Sequence, residues 1–178
     1  NKLMNFIANE TKQKLRGGYY TPLDLAEFLV RWVKEIKPKK ILEPSCGDGI
    51  FFEAIKKVGG LSRVNLVGIE FDENEATKAK KLVGDDFPQA VIKNTDFLDW
   101  SLEELKHNQA SFDAIIGNPP FIRYQYLPAI FQERSEEIFK VLNLPFTKHT
   151  NAWVPFILAS VALLKPGGRL AMVIPAEI

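Results

Sequence analysis

Residues 118–121 read Asn-Pro-Pro-Phe and directly follow an apolar run, 112–117. Two consecutive prolines fix their φ angles and remove two backbone donors, so the turn presents carbonyl oxygens rather than N–H groups. Asn118 adds a side-chain oxygen beside them, and Phe121 adds a ring on which a flat group can stack. Acceptors next to an aromatic face suit an exocyclic amine on a planar ring, and a nucleic-acid base is the obvious candidate.

Three further acceptors stand where apolar runs end: Glu43, Glu70 and Asp96. Glu43-Pro44-Ser45-Cys46-Gly47-Asp48-Gly49 reads as a tight loop from a strand into a helix. Its glycines let a ligand approach the backbone, and the helix start offers N–H groups. No Gly-Lys-Ser/Thr follows, and Gly-x-Gly-x-x-Gly is incomplete, so neither a P-loop nor a dinucleotide fingerprint is present. Glu70, about twenty residues on and followed by Phe71, is placed to accept from two ribose hydroxyls. Glu43 and Asp48 disfavour a pyrophosphate and suit a ligand carrying an amino group and a sulfonium. Asp96 offers an acceptor for an adenine amino group, with the Phe97 ring beside it. Taken singly, each acid is the kind of residue that caps a helix or sits in a solvated loop. Four polar strand ends on one sheet edge point instead to a ligand site.

The elements that must position these residues alternate. A helix opens at Thr21 as N-cap and Pro22 as first helical residue, with Leu23, Ala26, Leu29, Val30, Val33 and Ile36 at helical spacing. Strands are expected at 41–42, 66–69, 90–92, 114–116 and 170–174. Between them fall helices at 50–58, 74–83, 101–107, near 133–142, and at 151–164, where Pro155 fits the first turn. Pro166-Gly167-Gly168 reads as a turn. This order predicts an α/β fold: a doubly wound, mostly parallel sheet with helices on both faces. Residues 1–18 read as a polar, basic N-terminal arm.

Composition bounds the rest. The chain has 178 residues, 46% hydrophobic and 25% charged, which fits one soluble domain with a real core. A single cysteine, Cys46, excludes a disulfide framework and fits a reducing cytoplasm, and nothing nearby would make it a reactive thiolate. His107 and His149 have no metal-ligand spacing, so no metal is expected and both are assigned surface or structural places. The apolar run 152–164 is too short to span a bilayer. A net charge of +1 is low for a dedicated nucleic-acid binder, so the main grip on nucleic acid is expected elsewhere.

Together these motifs resemble the gamma-class N6-adenine DNA methyltransferases of restriction–modification systems. The resemblance runs from Tyr19 to Ile178 through Tyr19-Tyr20-Thr21-Pro22, the loop 43–49, Glu70, Asp96-Phe97, the tetrapeptide 118–121, Asn151-Ala152-Trp153 and Lys165-Pro166-Gly167-Gly168. It implies a Rossmann-like class I methyltransferase fold and S-adenosyl-L-methionine as cofactor. It also implies cofactor contacts from Tyr20, Thr21, Glu43, Ser45, Cys46, Gly47, Glu70, Phe71, Asp96, Phe97 and Asn118, and catalysis by Asn118, Pro119, Pro120 and Phe121. The substrate implied is a flipped adenine in double-stranded DNA, with a restriction endonuclease as partner or fusion. RNA guanine-amino and protein-glutamine methyltransferases share the tetrapeptide, and a non-catalytic cofactor-binding subunit is a further alternative. The family continues past the position of Ile178 into further strands and a target-recognition domain, so 19–178 is expected to be an incomplete catalytic domain.

Overall fold

The computed structural model describes residues 21–107, 110–122, 124–147 and 151–174. The arm 1–18, Tyr19, Tyr20, Arg123, His149 and 175–178 lie outside the described residues. Helix α1 spans Leu23–Lys34 and buries Ala26, Val30 and Val33 on one face. It starts one residue later than expected: Pro22, at φ −59° and ψ 141°, is the cap, and no side chain caps the helix.

Five strands follow: β1 Lys40–Glu43, β2 Asn65–Glu70, β3 Val91–Asn94, β4 Phe112–Gly117 and β5 Leu164–Met172. They form one sheet of order β3-β2-β1-β4-β5, parallel at every pairing. The intervening helices are α2 Ile50–Val58, α3 Glu73–Val83, α4 Phe97–Lys106, α5 Ala129–Val141 and α6 Trp153–Leu163. The central strands β1, β2 and β4 carry apolar runs because both their faces are covered, whereas edge strand β3 buries Ile92 alone. Ile41, Leu66, Ala114 and Ile116 pack with α1, α2 and α3, whereas Leu42, Val67, Ile69 and Ile115 pack with α4, α5 and α6. The expected doubly wound α/β architecture is thus present. Chain order runs outward in opposite directions from β1 and β4, which opens a crevice between their carboxyl ends.

Three local expectations need correction. Helix α4 begins at Phe97 rather than at 101, because Asp96 is its N-cap and accepts from Asp99 N at 2.9 Å. Helix α5 begins at Ala129, one turn before the expected start, behind Pro128. The segment 166–168 is a bulge inside β5 rather than a turn before it. Phe112 pairs with Leu164 but Ala114 pairs with Arg169, so the extra residues loop out of the ladder. A Cβ on Gly168 would stand 2.8 Å from the Asp113 carbonyl oxygen, which is why the bulge needs glycine there. Its entry is anchored by Lys165 Nζ donating to Asp113 Oδ1 at 2.8 Å. Among the described residues, no helix is long and apolar enough to cross a membrane, and no group of three His, Cys, Asp or Glu residues is arranged to hold a metal. His107 follows α4 at the exposed surface.

Candidate active site

The crevice between β1 and β4 brings the first and last of the polar strand ends together. Leaving β4, the chain turns at Asn118; leaving β1, it turns at Pro44. These turns touch: Ser45 Oγ donates to the Asn118 carbonyl oxygen at 2.9 Å. Gly117 lies at this approach, where a Cβ would stand in ordinary contact, 3.4 Å from Pro44 Cδ and 3.9 Å from Glu43 Cγ. Asn118 is also held from above, its Nδ2 donating to Thr21 Oγ1 at 3.0 Å. With the nitrogen end on Thr21, the oxygen end of the amide points away from it. Thr21 is buried, so its hydroxyl is in a setting where water competes little for the bond. Of the tetrapeptide, Pro119 is buried, while Asn118, Pro120 and Phe121 are partly exposed.

The loop from Pro44 to Gly49 is tied to β2. Cys46 N donates to Ile69 O at 2.9 Å, and Gly47 N donates to Glu70 Oε2 at 2.8 Å. Glu70 Oε1 accepts from Asp72 N at 2.7 Å, so backbone donors on both sides orient its carboxylate at the strand end. Gly47 has φ +52° with open space where a Cβ would stand, and Gly49 has φ +100°. Both values lie in the left-handed region that glycine enters at little cost. The space beside Gly47 is therefore open for a ligand to approach the backbone.

Electrostatics set Glu43 apart. It is 1% exposed, and its Oε2 finds no hydrogen-bond donor among the described residues. Burial, then the neighbouring charges of Glu70 and Asp48, hold its carboxyl well above the usual carboxylate range. A neutral carboxyl is the form this setting favours, and a cation arriving beside it would reverse that preference. Burial also raises the Glu70 and Asp96 carboxyls. Cys46 is buried against Gly68, and burial followed by the charge of Glu43 pushes its thiol far up, consistent with a packing cysteine.

At the β2–β3 end the picture differs from the sequence reading in one respect. Phe97 is 2% exposed, with its ring centroid 4.9 Å from Phe156 and 6.1 Å from Trp100, so it belongs to the core under α4. The exposed ring on this edge is Phe71, 66% accessible, which meets Phe131 of α5 edge-on at 5.5 Å. Asp96 stays at the rim as cap of α4, half-buried.

Sequence reasoning missed Asn94, whose Nδ2 donates to the carbonyls of both Glu70 and Phe71 at 2.9 Å and so fixes the strand end that carries the acid. It also missed Arg134, which reaches from α5 to Asp99. Asn94 had a local signal, its place just before Asp96; Arg134 had none, because its partner lies in another helix.

A profile of the N-6 DNA methylase family matches residues 2–178. Type II methyltransferase M.BanIII of Aneurinibacillus aneurinilyticus is 31% identical over 185 residues, covering 91% of this chain and 31% of that protein. Type II methyltransferase M.CvrRI of Paramecium bursaria Chlorella virus XZ-6E is 31% identical over 172 residues, covering 94% of this chain and 38% of its own length. The chain thus spans about a third of the curated relatives it matches. Among solved structures, the methyltransferase subunit of a type I restriction-modification system from Streptococcus thermophilus superposes with a TM-score of 0.65 at 19% identity, covering 86% of this chain and 34% of that one. A putative class I S-adenosylmethionine-dependent methyltransferase from Listeria monocytogenes gives 0.58 at 22% identity, covering 86% and 45%. At those identities the structures speak to the fold alone, while the profile match extends over nearly the whole sequence. The chain belongs to the N-6 DNA methylase family.

Proposed function

We propose that this domain binds S-adenosyl-L-methionine along the carboxyl edge of its sheet and, in the whole protein, directs its methyl group to the 6-amino group of an adenine flipped from double-stranded DNA. The observation that carries the reading is the Ser45–Asn118 bond, which seats the acceptor turn directly against the glycine loop. The residues present fit the cofactor. Glu70 offers an oriented carboxylate to a ribose diol, Gly47 leaves its surface open, and the buried oxygen of Glu43 provides an acceptor facing the same loop. Asp96 and Phe71 stand at the end where an adenine would lie. Bound there, the cofactor supplies an electrophilic methyl group on a sulfonium.

The rest is the work of this chain's own groups. Extruding the base from the duplex costs a few kcal/mol. Stacking on the Phe121 ring offsets about 1–3 kcal/mol of that. Asn118 Oδ1 and the carbonyl of Pro119 accept the two amino hydrogens, drawing the nitrogen toward sp³ geometry and aiming its lone pair. As positive charge develops on that nitrogen the same acceptors bind it more strongly, which lowers the barrier rather than merely the ground state. Thr21 holds the Asn118 amide in register for this. The nitrogen sheds its extra proton to solvent, and no histidine is called on. Double-stranded DNA is the partner this reading requires, with a restriction endonuclease acting at the same sites.

The test uses the full-length protein. Asn118→Ala should abolish methyl transfer from labelled donor to DNA while donor binding persists. Equal loss of both overturns the role of Asn118, and transfer by the wild type to RNA or a protein glutamine in place of DNA overturns the substrate.

A further inference from the structure

The helix that follows the acceptor turn reaches back to the far end of the cofactor groove. Phe131 of α5 sets its ring against Phe71, and one turn later Arg134 pairs with the Asp99 carboxylate in the first turn of α4. Asp99 is the residue whose backbone N–H occupies Asp96 Oδ1 at 2.9 Å. Asp96 therefore has one oxygen taken by a backbone donor and a second carboxylate close by on the same helical turn. The charge of Asp99 disfavours the ionised form of Asp96, and the Arg134 guanidinium favours it. Asp99 and Arg134 are the charged groups that bear on Asp96, and Glu133 stands beside Arg134.

As a stabilising contact the pair is minor. The side chains are 26% and 45% exposed, where an ion pair contributes about 0–1 kcal/mol. Its effect on the neighbouring acid is the more telling one. We infer that Arg134 is a positioning residue for adenine recognition: by taking up the charge of Asp99 it keeps Asp96 an ionised acceptor for an exocyclic amino group. This deepens, and rests on, the reading of Asp96 as the adenine partner of the cofactor. It also links the segment leaving the acceptor turn to the nucleoside end of the groove.

The experiment measures binding of two probes to the full-length protein by calorimetry: S-adenosyl-L-homocysteine, and its inosine counterpart, in which a carbonyl replaces the 6-amino group. Wild type should prefer the adenosine probe. Arg134→Ala should lose about tenfold in affinity for it, the order of one charge-assisted hydrogen bond weakened, with little change for the inosine probe. kcat at saturating donor should stay within about twofold of wild type. Adding Asp99→Asn to Arg134→Ala should restore the preference, because no charge is left to offset. A purely structural bridge between α4 and α5 would stay broken in that double variant. Equal loss for both probes, or no recovery in the double variant, overturns the role of Arg134 while leaving Asp96 in place. A wild type that binds both probes alike overturns the Asp96 assignment instead, and one that binds neither overturns the cofactor reading and this inference with it.

Discussion

Replacing Glu43 by glutamine should make the cofactor-free chain more stable at neutral pH, and the gain should grow with pH. Glu43 is 1% exposed, lacks a donor for Oε2 among the described residues, and faces Glu70 and Asp48. Burial, with those two charges added, raises its carboxyl well above the ordinary 4.5. In the unfolded chain the same group titrates near that ordinary value. The folded state therefore holds a proton that the unfolded state releases, so this contribution is complete below pH 4.5 and is lost as pH rises through the folded value. One proton corresponds to a slope of about 1.4 kcal/mol per pH unit within that window. For a domain of this size that is about 3–6 °C in Tm per unit. Glutamine keeps the shape and removes the titration. Urea unfolding of both proteins at intervals from about pH 4.5 to 8 should give stabilities that diverge as pH rises, with wild type falling faster. Glu70, also raised by burial, remains in both proteins and leaves a shared slope. Parallel curves across the range would refute the reasoning, since they would mean that Glu43 holds no proton the unfolded chain lacks.

Two further outcomes follow from the same loop. Glu70→Gln leaves a single oxygen where Gly47 N and Asp72 N each need an acceptor, so it should destabilise by about 1.5–3 kcal/mol and weaken cofactor binding; an unchanged urea midpoint would count against it. Gly68→Ala would place a Cβ 2.8 Å from both Ile92 Cδ1 and Phe52 Cζ and 3.1 Å from Cys46 Sγ. That crowding should cost about 1–3 kcal/mol in a denaturant titration and shift the Cys46–Gly47 backbone enough to lower cofactor affinity.

How legible the fold was depended on how local each signal is. Helix α2 could be read to its ends, because Gly49 and Gly59 bracket an apolar period that a single helix satisfies. The start of α4 was hidden because Asp96 can serve as a cap or a ligand, and the four residues it adds look like loop until the Asp99 N–H is seen on it. Helix α5 buries Ser135, Ile138 and Phe139 late in its length, whereas Ile130 in its first turn is exposed, so the start lies off the buried stripe that marks the rest. The β5 bulge was invisible for a different reason: Pro-Gly-Gly marks a turn in any local reading, and only pairing with β4 on both sides of it makes it part of a strand. Phe97 is a similar case, since an aromatic beside an acid reads as a ligand face until Phe156 and Trp100 are found packed on it.

By itself the sequence determined the alternation of strands and helices and the chemical types at each strand end, Glu43, Glu70, Asp96 and the Asn-Pro-Pro-Phe turn. Those follow from periodicity and residue chemistry, which act over a few positions. Tertiary structure decided which of these residues meet. The order β3-β2-β1-β4-β5 places Asn118 beside Ser45, 73 positions away, and Thr21 beside Asn118, 97 positions away. It also decided that Glu43 lies buried while Asp96 stays at the rim, because burial depends on what the other elements cover. Proton affinity follows burial and neighbouring charge, neither of which is a property of a residue's place in the chain.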